Sequence, residues 1–138
     1  YNVRGLELHA AIAREQLKKL ETFRRQREAN LNNFVTMCYS LPVEFPRRNG
    51  VNSPFGLQFR VASKEKRLKL AHALRENDID CRLPTGGSFT KHIYGRRWAN
   101  QATPNADAVH ETGLFIGNGP IDLMDRMERA VKVMKEVL

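Results

Sequence analysis

The sequence has no uninterrupted apolar run approaching the roughly 20 residues that a membrane-spanning helix needs. It has only two cysteines, Cys38 and Cys81, which lie far apart and outside any CxxC motif. Such cysteines are typically reduced thiols, so we expect no disulfide and a cytoplasmic protein with no membrane partner. The chain has no initiator Met and enters a helical pattern directly after Tyr1, from which we expect a segment of a longer polypeptide.

Nucleic-acid recognition motifs are also missing, although the composition is basic. The chain contains 23 Lys and Arg against 15 Asp and Glu, a formal net charge of +8. This excess attracts anions such as phosphates, pyrophosphates and nucleic acid. Zinc-finger spacing, an RNP-like aromatic strand and a KH-type loop are absent, which disfavours nucleic acid as the partner. The basic residues cluster at 24–27, 47–48, 64–69 and 91–97, and each cluster alone is typical of a solvated face.

The first part of the chain has the apolar spacing of one long helix. Apolar residues recur on one face from Leu6 to about Phe34, and Gly and Pro are absent after Gly5. Such a helix is about 40 Å long at 1.5 Å per residue. Because a small domain cannot cover it, we expect it to pack against another domain or a second subunit. The predicted organisation is a long helix over residues 1–40 and a small α/β domain over residues 41–138.

The second part alternates short strands with helices. Residues 41–54 are rich in proline and turn signals and predict a linker. Strands are predicted at Phe55–Val61, Ile79–Leu83 and Leu114–Ile116. The fold class is therefore α+β, with a small, mostly antiparallel sheet covered by helices.

Two helices accompany these strands. Ser63 is the predicted cap of the first, which ends at Asn77–Asp78. Its inward residues are predicted to be Leu68, Ala71 and Leu74. The second helix follows a turn at residues 118–120, and its apolar stripe is predicted to comprise Ile121, Met124, Met127, Val131, Met134 and Leu138.

Local chemical motifs are weak when taken one by one. The four histidines lack metal-ligand spacing, and His92, in a basic loop, is the best candidate ligand among them. Gly86–Gly87–Ser88 could offer backbone N–H groups to an anion, but a plain flexible turn is the better explanation of this short motif. We interpret Asp107 and Glu111 as a helix-surface pair.

The order of several segments is more informative. The segments are 1–4 (YNVR), 7–12 (ELHAAI), 16–20 (QLKKL), 24–27 (RRQR), 79–82 (IDCR), 87–89 (GSF), 105–107 (NAD) and 113–118 (GLFIGN). In this order they resemble the part of the DegT/DnrJ/StrS sugar aminotransferases that follows the cofactor-lysine region. The later segments are most similar to the 3-dehydratase branch, typified by GDP-4-keto-6-deoxymannose 3-dehydratase. That branch usually has Asn at the position of Ser88, so the resemblance does not specify a substrate.

The resemblance implies the C-terminal domain of a fold-type-I enzyme dependent on pyridoxal 5'-phosphate. Its substrate would be a nucleotide-diphosphate sugar, in deoxy- or amino-sugar synthesis for lipopolysaccharide O-antigen, and its assembly a homodimer. The large domain of such enzymes carries the cofactor and the catalytic Lys or His, so no catalytic residue is expected in this chain, and the chain alone should be inactive.

The resemblance also assigns site residues. Asn2 matches the residue that reaches across the dimer to the cofactor phosphate, and Arg4 is placed to touch the cofactor or the sugar nucleotide. Arg82 and the loop residues Gly87, Ser88 and Phe89 would face the substrate sugar. Two alternatives stay open at this point: a basic nucleic-acid-binding module and a structural dimerisation module. The sequence does not distinguish an aminotransferase from a dehydratase.

Overall fold

A computed structural model describes residues 5–84 and 86–138 of the chain. The elements are α1 (Glu7–Leu17), α2 (Leu20–Met37), β1 (Val43–Glu44), β2 (Gly56–Val61), α3 (Lys64–Glu76), β3 (Cys81–Arg82), α4 (Pro104–Thr112), β4 (Gly113–Gly117) and α5 (Met124–Val137). Two short 3-10 helices, Phe89–Lys91 and Ile93–Trp98, lie between β3 and α4.

The strands form one four-stranded sheet in the order β1-β2-β4-β3. Every neighbouring pair is antiparallel, with Leu57 opposite Ile116 and Cys81 opposite Ile116 on its other side. The predicted α+β fold with a small antiparallel sheet is therefore confirmed.

The two faces of the sheet differ in chemistry. Side chains alternate between faces along a strand, so Leu57, Phe59 and Val61 of β2 share one face and are buried. This face packs against α2, α3 and α5 in a core that includes Leu31, Phe34, Leu70, Leu74, Met127 and Met134. The opposite face, called the outer face below, carries Gln58, Arg60, Phe115 and Arg82. Apart from Phe115, which is buried, the sheet therefore presents polar side chains on the side away from the helical core.

The predicted single helix is interrupted. Lys19 donates its N–H to the carbonyl of Gln16 at 3.0 Å, a spacing of three residues instead of four, and α2 starts at the next residue. All of α1 is exposed within the described chain, so packing does not impose a straight helix there. In contrast, Leu31 and Phe34 of α2 belong to the same core as the sheet. The predicted domain boundary near residue 40 stays a prediction.

Helix α3 begins and ends where the sequence predicted. The Ser63 hydroxyl accepts the N–H of Lys66 at 3.2 Å, and Asp78 has a positive φ of 58° just after the helix. The predicted inward position of Leu68 is wrong, since this side chain is 55% exposed. Leu70 and Arg67 are buried instead. The helix turns the face with these two residues toward the core, and the apolar spacing alone did not indicate this face.

Three further elements differ from expectation. The predicted linker contains β1, which pairs with the end of β2 through Val43 and Val61. The predicted strand at 79–83 is only two residues long. Helix α4 was not among the predicted elements, although Asp107 and Glu111 were interpreted as a pair on a helix surface. Ile121 is exposed and precedes α5, so its place on the predicted stripe is wrong, whereas Met127 and Met134 are buried as expected.

Candidate functional site

The residues proposed from the sequence fall into two groups. Asn2 and Arg4 lie outside the described residues. Arg82, Gly87, Ser88 and Phe89 lie in the segment that leaves the short strand β3 and runs toward α4. The structure therefore places four of the six in one stretch of chain beside the outer face.

Arg82 projects from the edge strand of the sheet. Arg82 is exposed. Its partner in the sheet is Phe115, whose side chain lies on the outer face. Its Nε and Nη2 atoms both contact Oδ2 of Asp80, at 3.2 and 3.1 Å. A guanidinium has five N–H donors, so this contact leaves donors for a second anion. An exposed ion pair of this kind stabilises the fold by at most about 1 kcal/mol. Asp80 therefore orients the Arg82 side chain more than it stabilises the protein.

The turn after Pro84 depends on two glycines. The N–H of Gly87 donates to the carbonyl of Pro84 at 3.1 Å, and Gly86 and Gly87 have φ values of 82° and 51°. A Cβ atom on Gly87 would overlap the ring of His110, whereas a Cβ on Gly86 would meet open space. Gly87 is therefore required by a close approach to α4 as well as by its backbone conformation.

Ser88 is held inside the structure. Its relative exposure is 0%, and its backbone N–H donates to Nδ1 of His110 at 3.3 Å. Its hydroxyl lies 3.0 Å from that of Thr90 and 3.3 Å from that of Thr103. In the described chain Ser88 thus anchors the loop, and its predicted contact with a substrate stays a prediction.

This anchor extends to the start of α4. The Thr103 hydroxyl donates to Oδ1 of Asp107 at 3.2 Å. Hydrogen bonds from the hydroxyls of Ser88 and Thr103 hold the pKa of Asp107 below its usual range. Sequence reasoning interpreted Asp107 as a surface residue and missed His110. The available signal was Thr103–Pro104, a helix start with Pro at its first position, which puts Asp107 and His110 three residues apart on one face.

An exposed aromatic surface flanks the loop, formed by Phe89, His92, Tyr94 and Trp98. The Phe89 ring is half exposed and lies 5.5 Å from the ring of Tyr94 and 5.3 Å from that of Trp98. The His92 ring stacks on Tyr94 with a centroid distance of 5.1 Å and an interplanar angle of 3°. Open aromatic faces of this kind suit a sugar or nucleobase ring, as well as a protein partner.

A cleft of about 430 Å³ lies on the outer face beside the loop, between β1 and α4, and its lining includes Pro84 and Gly113. Arg60 also lines it, donating from Nε to the Thr112 hydroxyl at 3.0 Å and lying 3.5 Å from the Glu44 carboxylate. The cleft thus combines two guanidinium groups, those of Arg47 and Arg60, with the Glu44 carboxylate next to the segment that carries Arg82.

The described residues do not form a metal centre or a site for a covalently bound cofactor. Residues 5–84 and 86–138 contain no group of three His, Cys, Asp or Glu side chains that could hold a metal ion. All eight lysines are exposed or half exposed. None of them is therefore enclosed in the way that a lysine forming a Schiff base with a cofactor is. Within the same ranges, no helix is both long enough and apolar enough to cross a membrane.

Comparison with known proteins identifies the family. The sequence profile of the DegT/DnrJ/EryC1/StrS aminotransferase family matches residues 1–135. The chain belongs to this family. It is 33% identical over 144 aligned positions to a GDP-4-keto-6-deoxy-D-mannose 3-dehydratase of Yersinia pseudotuberculosis, covering 99% of this chain and 36% of that protein. The same enzyme of Escherichia coli O55:H7 is 32% identical, with 98% and 37% covered. This DegT/DnrJ/EryC1/StrS chain thus spans just over a third of the length of these relatives.

Solved structures of the family have the same fold. The GDP-4-keto-6-deoxy-D-mannose-3-dehydratase of E. coli with bound hydrated PLP superposes with a TM-score of 0.86 at 32% identity, covering 97% of this chain and 36% of that one. A mutant GDP-4-keto-6-deoxymannose-3-dehydratase with bound GDP-perosamine also has a TM-score of 0.86, at 32% identity over 97% of this chain and 36% of that one. S. venezuelae DesV, at 19% identity over 98% of this chain and 38% of that one, has a TM-score of 0.80 and supports the fold alone. The predicted resemblance to the family and its 3-dehydratase branch is confirmed.

Proposed function

We propose that the chain is the C-terminal domain of a pyridoxal-phosphate-dependent enzyme that either removes a hydroxyl group from a keto nucleotide-diphosphate sugar or converts its keto group to an amine. The supporting observation is the 33% identity, over nearly the whole chain, to an enzyme named as a GDP-4-keto-6-deoxy-D-mannose 3-dehydratase. The complete enzyme would be a cytoplasmic homodimer that supplies deoxy or amino sugars for lipopolysaccharide. The reaction would be a 3-dehydration in preference to an amino transfer, because the two relatives above share that name.

The described residues do not by themselves fit the cofactor, because every lysine is exposed or half exposed. No chemical step is therefore assigned to them. Their proposed task is to bind and orient the sugar nucleotide. Arg82 supplies a cation for the diphosphate or for an oxygen of the sugar, and the ring of Phe89 supplies an open apolar surface.

The basic character of the chain fits this task better than nucleic-acid binding. Three residues of the basic clusters, Arg24, Arg25 and Lys69, contact carboxylates along their own helices. Arg24 contacts Glu21 and Glu28 at 2.8 Å each, and Lys69 contacts Glu65 at 2.8 Å. Ion pairs at this spacing are typical of a solvated helix face.

Replacement of Arg82 tests the proposed function in the complete enzyme. An Arg82→Ala change should raise the KM for the sugar nucleotide by roughly 10- to 100-fold, the loss expected for hydrogen bonds to a charged group. Arg82→Lys should recover only part of this loss, because an ammonium does not reproduce the guanidinium fork. Binding of pyridoxal phosphate, followed by its absorbance, should not change.

Arg129→Ala is the matched control, since Arg129 is an exposed arginine on α5 whose guanidinium donates to the carbonyl of Asn77. The proposal fails if the complete wild-type enzyme binds no nucleotide-diphosphate sugar. It also fails for Arg82 if Arg82→Ala and Arg129→Ala have the same KM.

The two N-terminal assignments are also proposals. Asn2→Ala should weaken binding of pyridoxal phosphate to the complete enzyme by about 1–3 kcal/mol, and Arg4→Lys should raise the KM for the sugar nucleotide. Equilibrium dialysis against the cofactor checks the first, and steady-state kinetics check the second. Unchanged values in a folded dimer would contradict both assignments.

A further inference from the structure

Two imidazole rings hold the turn that precedes Phe89. Nε2 of His92 lies 2.5 Å from the carbonyl oxygen of Gly86, and Nδ1 of His110 lies 3.3 Å from the backbone nitrogen of Ser88. The two rings approach each other edge to face, with centroids 6.0 Å apart. The turn is thus fixed on both sides of Gly87, which itself packs against the His110 ring.

The chemistry of the two contacts determines the proton positions. A backbone N–H is only a donor, so Nδ1 of His110 must be the unprotonated acceptor and the ring proton must sit on Nε2. A carbonyl oxygen is only an acceptor, so Nε2 of His92 must carry its proton. The backbone of the loop thus determines which nitrogen accepts in His110 and which nitrogen donates in His92.

His110 also connects the loop to the sheet. It lies on α4, the helix that runs directly into β4, and β4 pairs with the strand that carries Arg82. The buried hydroxyl of Ser88, beside Thr103 at the start of the same helix, provides a second attachment. Both the loop and Arg82 are thus attached to the same α4–β4 segment, the loop through His110 and Arg82 through strand pairing.

We propose that His110 is a positioning residue for the sugar nucleotide: its Nδ1 atom accepts the Ser88 N–H and so fixes residues 86–89 where they meet the substrate. This inference rests on the proposed function, since it assumes that the loop faces a sugar nucleotide. It adds a residue that the sequence did not indicate and assigns it a role through the loop, with no contact to the reacting atoms.

Two replacements in the complete enzyme separate the acceptor from the bulk of the ring. In His110→Leu, a side chain of similar reach has no acceptor for the Ser88 N–H. In His110→Asn, the amide oxygen occupies about the position of Nδ1 and can still accept. His72→Leu is the control, because His72 is an exposed histidine on α3 whose ring contacts Glu76.

Hydrogen exchange of the loop amides and steady-state kinetics are the two measurements. His110→Leu should speed exchange in peptides covering residues 86–89 and raise the KM for the sugar nucleotide about tenfold, as expected for one lost hydrogen bond. The kcat should stay within about twofold, because the reacting groups are untouched. His110→Asn should restore both values to near those of the wild type, and His72→Leu should change neither.

The possible failures are distinguishable. Unchanged exchange in His110→Leu would show that His110 does not hold the loop. Faster exchange with an unchanged KM would show that the contact is structural only, and a failure of His110→Asn to restore the KM would overturn the role of the acceptor. If the wild-type enzyme binds no nucleotide-diphosphate sugar, the proposed function fails first and takes the positioning role with it.

Discussion

The side-chain amide of Asn30 donates to Oδ1 of Asn118 at 3.1 Å, and both residues are buried, with exposures of 1% and 2%. Asn30 also donates to the carbonyl of Ile121 at 2.8 Å, and Asn118 donates to the carbonyls of Arg27 and Pro54 at 3.0 and 2.9 Å. These bonds join α2 to the turn before α5 and to the segment before β2. Two residues 88 positions apart in sequence thus connect three segments of the chain.

Removal of the Asn30 amide should destabilise the fold. Asn30→Ala leaves the Asn118 oxygen and the Ile121 carbonyl without their donor, at a cost of about 1–3 kcal/mol in the free energy of unfolding. Urea unfolding followed by circular dichroism measures this change. Asn32→Ala, on the exposed side of the same helix, is the control and should stay within about 0.5 kcal/mol of the wild type. Equal midpoints for the two variants would contradict the structural role of the pair.

Features encoded locally were predictable from the sequence. The alternation of Leu57, Phe59 and Val61 identified β2 and its buried face, and the Ser63 cap identified the start of α3. The strand is recognised from side-chain periodicity, and the cap from a hydrogen bond that spans three residues. Both signals are local, so a single sequence is enough to predict them.

Features that depend on distant partners were not predictable. The two-residue strand β1 forms through the pairing of Val43 with Val61. The prolines on either side of it are typical of a linker, so the sequence did not indicate a strand there. Arg67 is buried and Leu68 exposed because the sheet selects the face of α3. At the candidate site, Arg82 and Gly87–Phe89 were assigned as site residues from the family resemblance and not from any local pattern. The contact between His110 and Ser88 joins residues 22 positions apart and left no local pattern.

Both thiols should be unreactive in the folded protein. Burial raises the pKa of the Cys38 thiol to about 12 and also raises that of Cys81, so the reactive thiolate is scarce at pH 8. Titration with a thiol reagent at about pH 8 should detect no fast-reacting thiol in the native chain and two in guanidinium chloride. A fast-reacting thiol under native conditions would show that the packing around these cysteines opens readily.

The Asp107 carboxylate should stabilise the loop in a pH-dependent way. The folded state lowers the pKa of Asp107. The stabilisation by its carboxylate is therefore complete above the ordinary aspartate pKa, and it is lost as the pH falls through the lower, folded-state pKa. Trp98 is the only tryptophan and contacts Phe89, so its fluorescence reports on this segment. Emission should be constant from neutral pH down to about pH 4 and change below it.

Two variants test the origin of that acid transition. Asp107→Asn mimics the protonated carboxyl and should show the acid-form emission already at neutral pH. Asp125→Asn, exposed on α5, should keep the wild-type profile. A wild-type profile in Asp107→Asn would assign the acid transition to other groups.

The 138-residue chain should not catalyse the proposed reaction alone. Its lysines are exposed or half exposed, so none of them is enclosed in a pocket that would hold a bound cofactor. We expect no turnover of a 4-keto nucleotide sugar by the purified chain with cofactor, whereas the complete enzyme under the same conditions should be active. Measurable turnover by the chain would contradict the role proposed for it.

The two neighbouring glycines of the loop offer a sharper test of how it is held. Gly86 has the less favourable φ for an L-residue, 82° against 51° for Gly87, so backbone strain alone predicts that Gly86→Ala is the more damaging change. The contact with His110 predicts the opposite, because a Cβ at residue 87 overlaps the imidazole ring while one at residue 86 meets nothing within 4 Å. We expect Gly86→Ala to cost about 1 kcal/mol and Gly87→Ala about 1–3 kcal/mol more.

Urea unfolding gives the order of the two variants, and Trp98 emission shows whether the loop has moved. The double variant Gly87→Ala with His110→Ala provides the decisive comparison, since removal of the ring also removes the overlap. If His110 is the cause, this double variant should lose less stability than the sum of the two single changes. Additive losses, or a Gly86→Ala variant less stable than Gly87→Ala, would mean that backbone strain and not the imidazole contact makes glycine necessary at position 87.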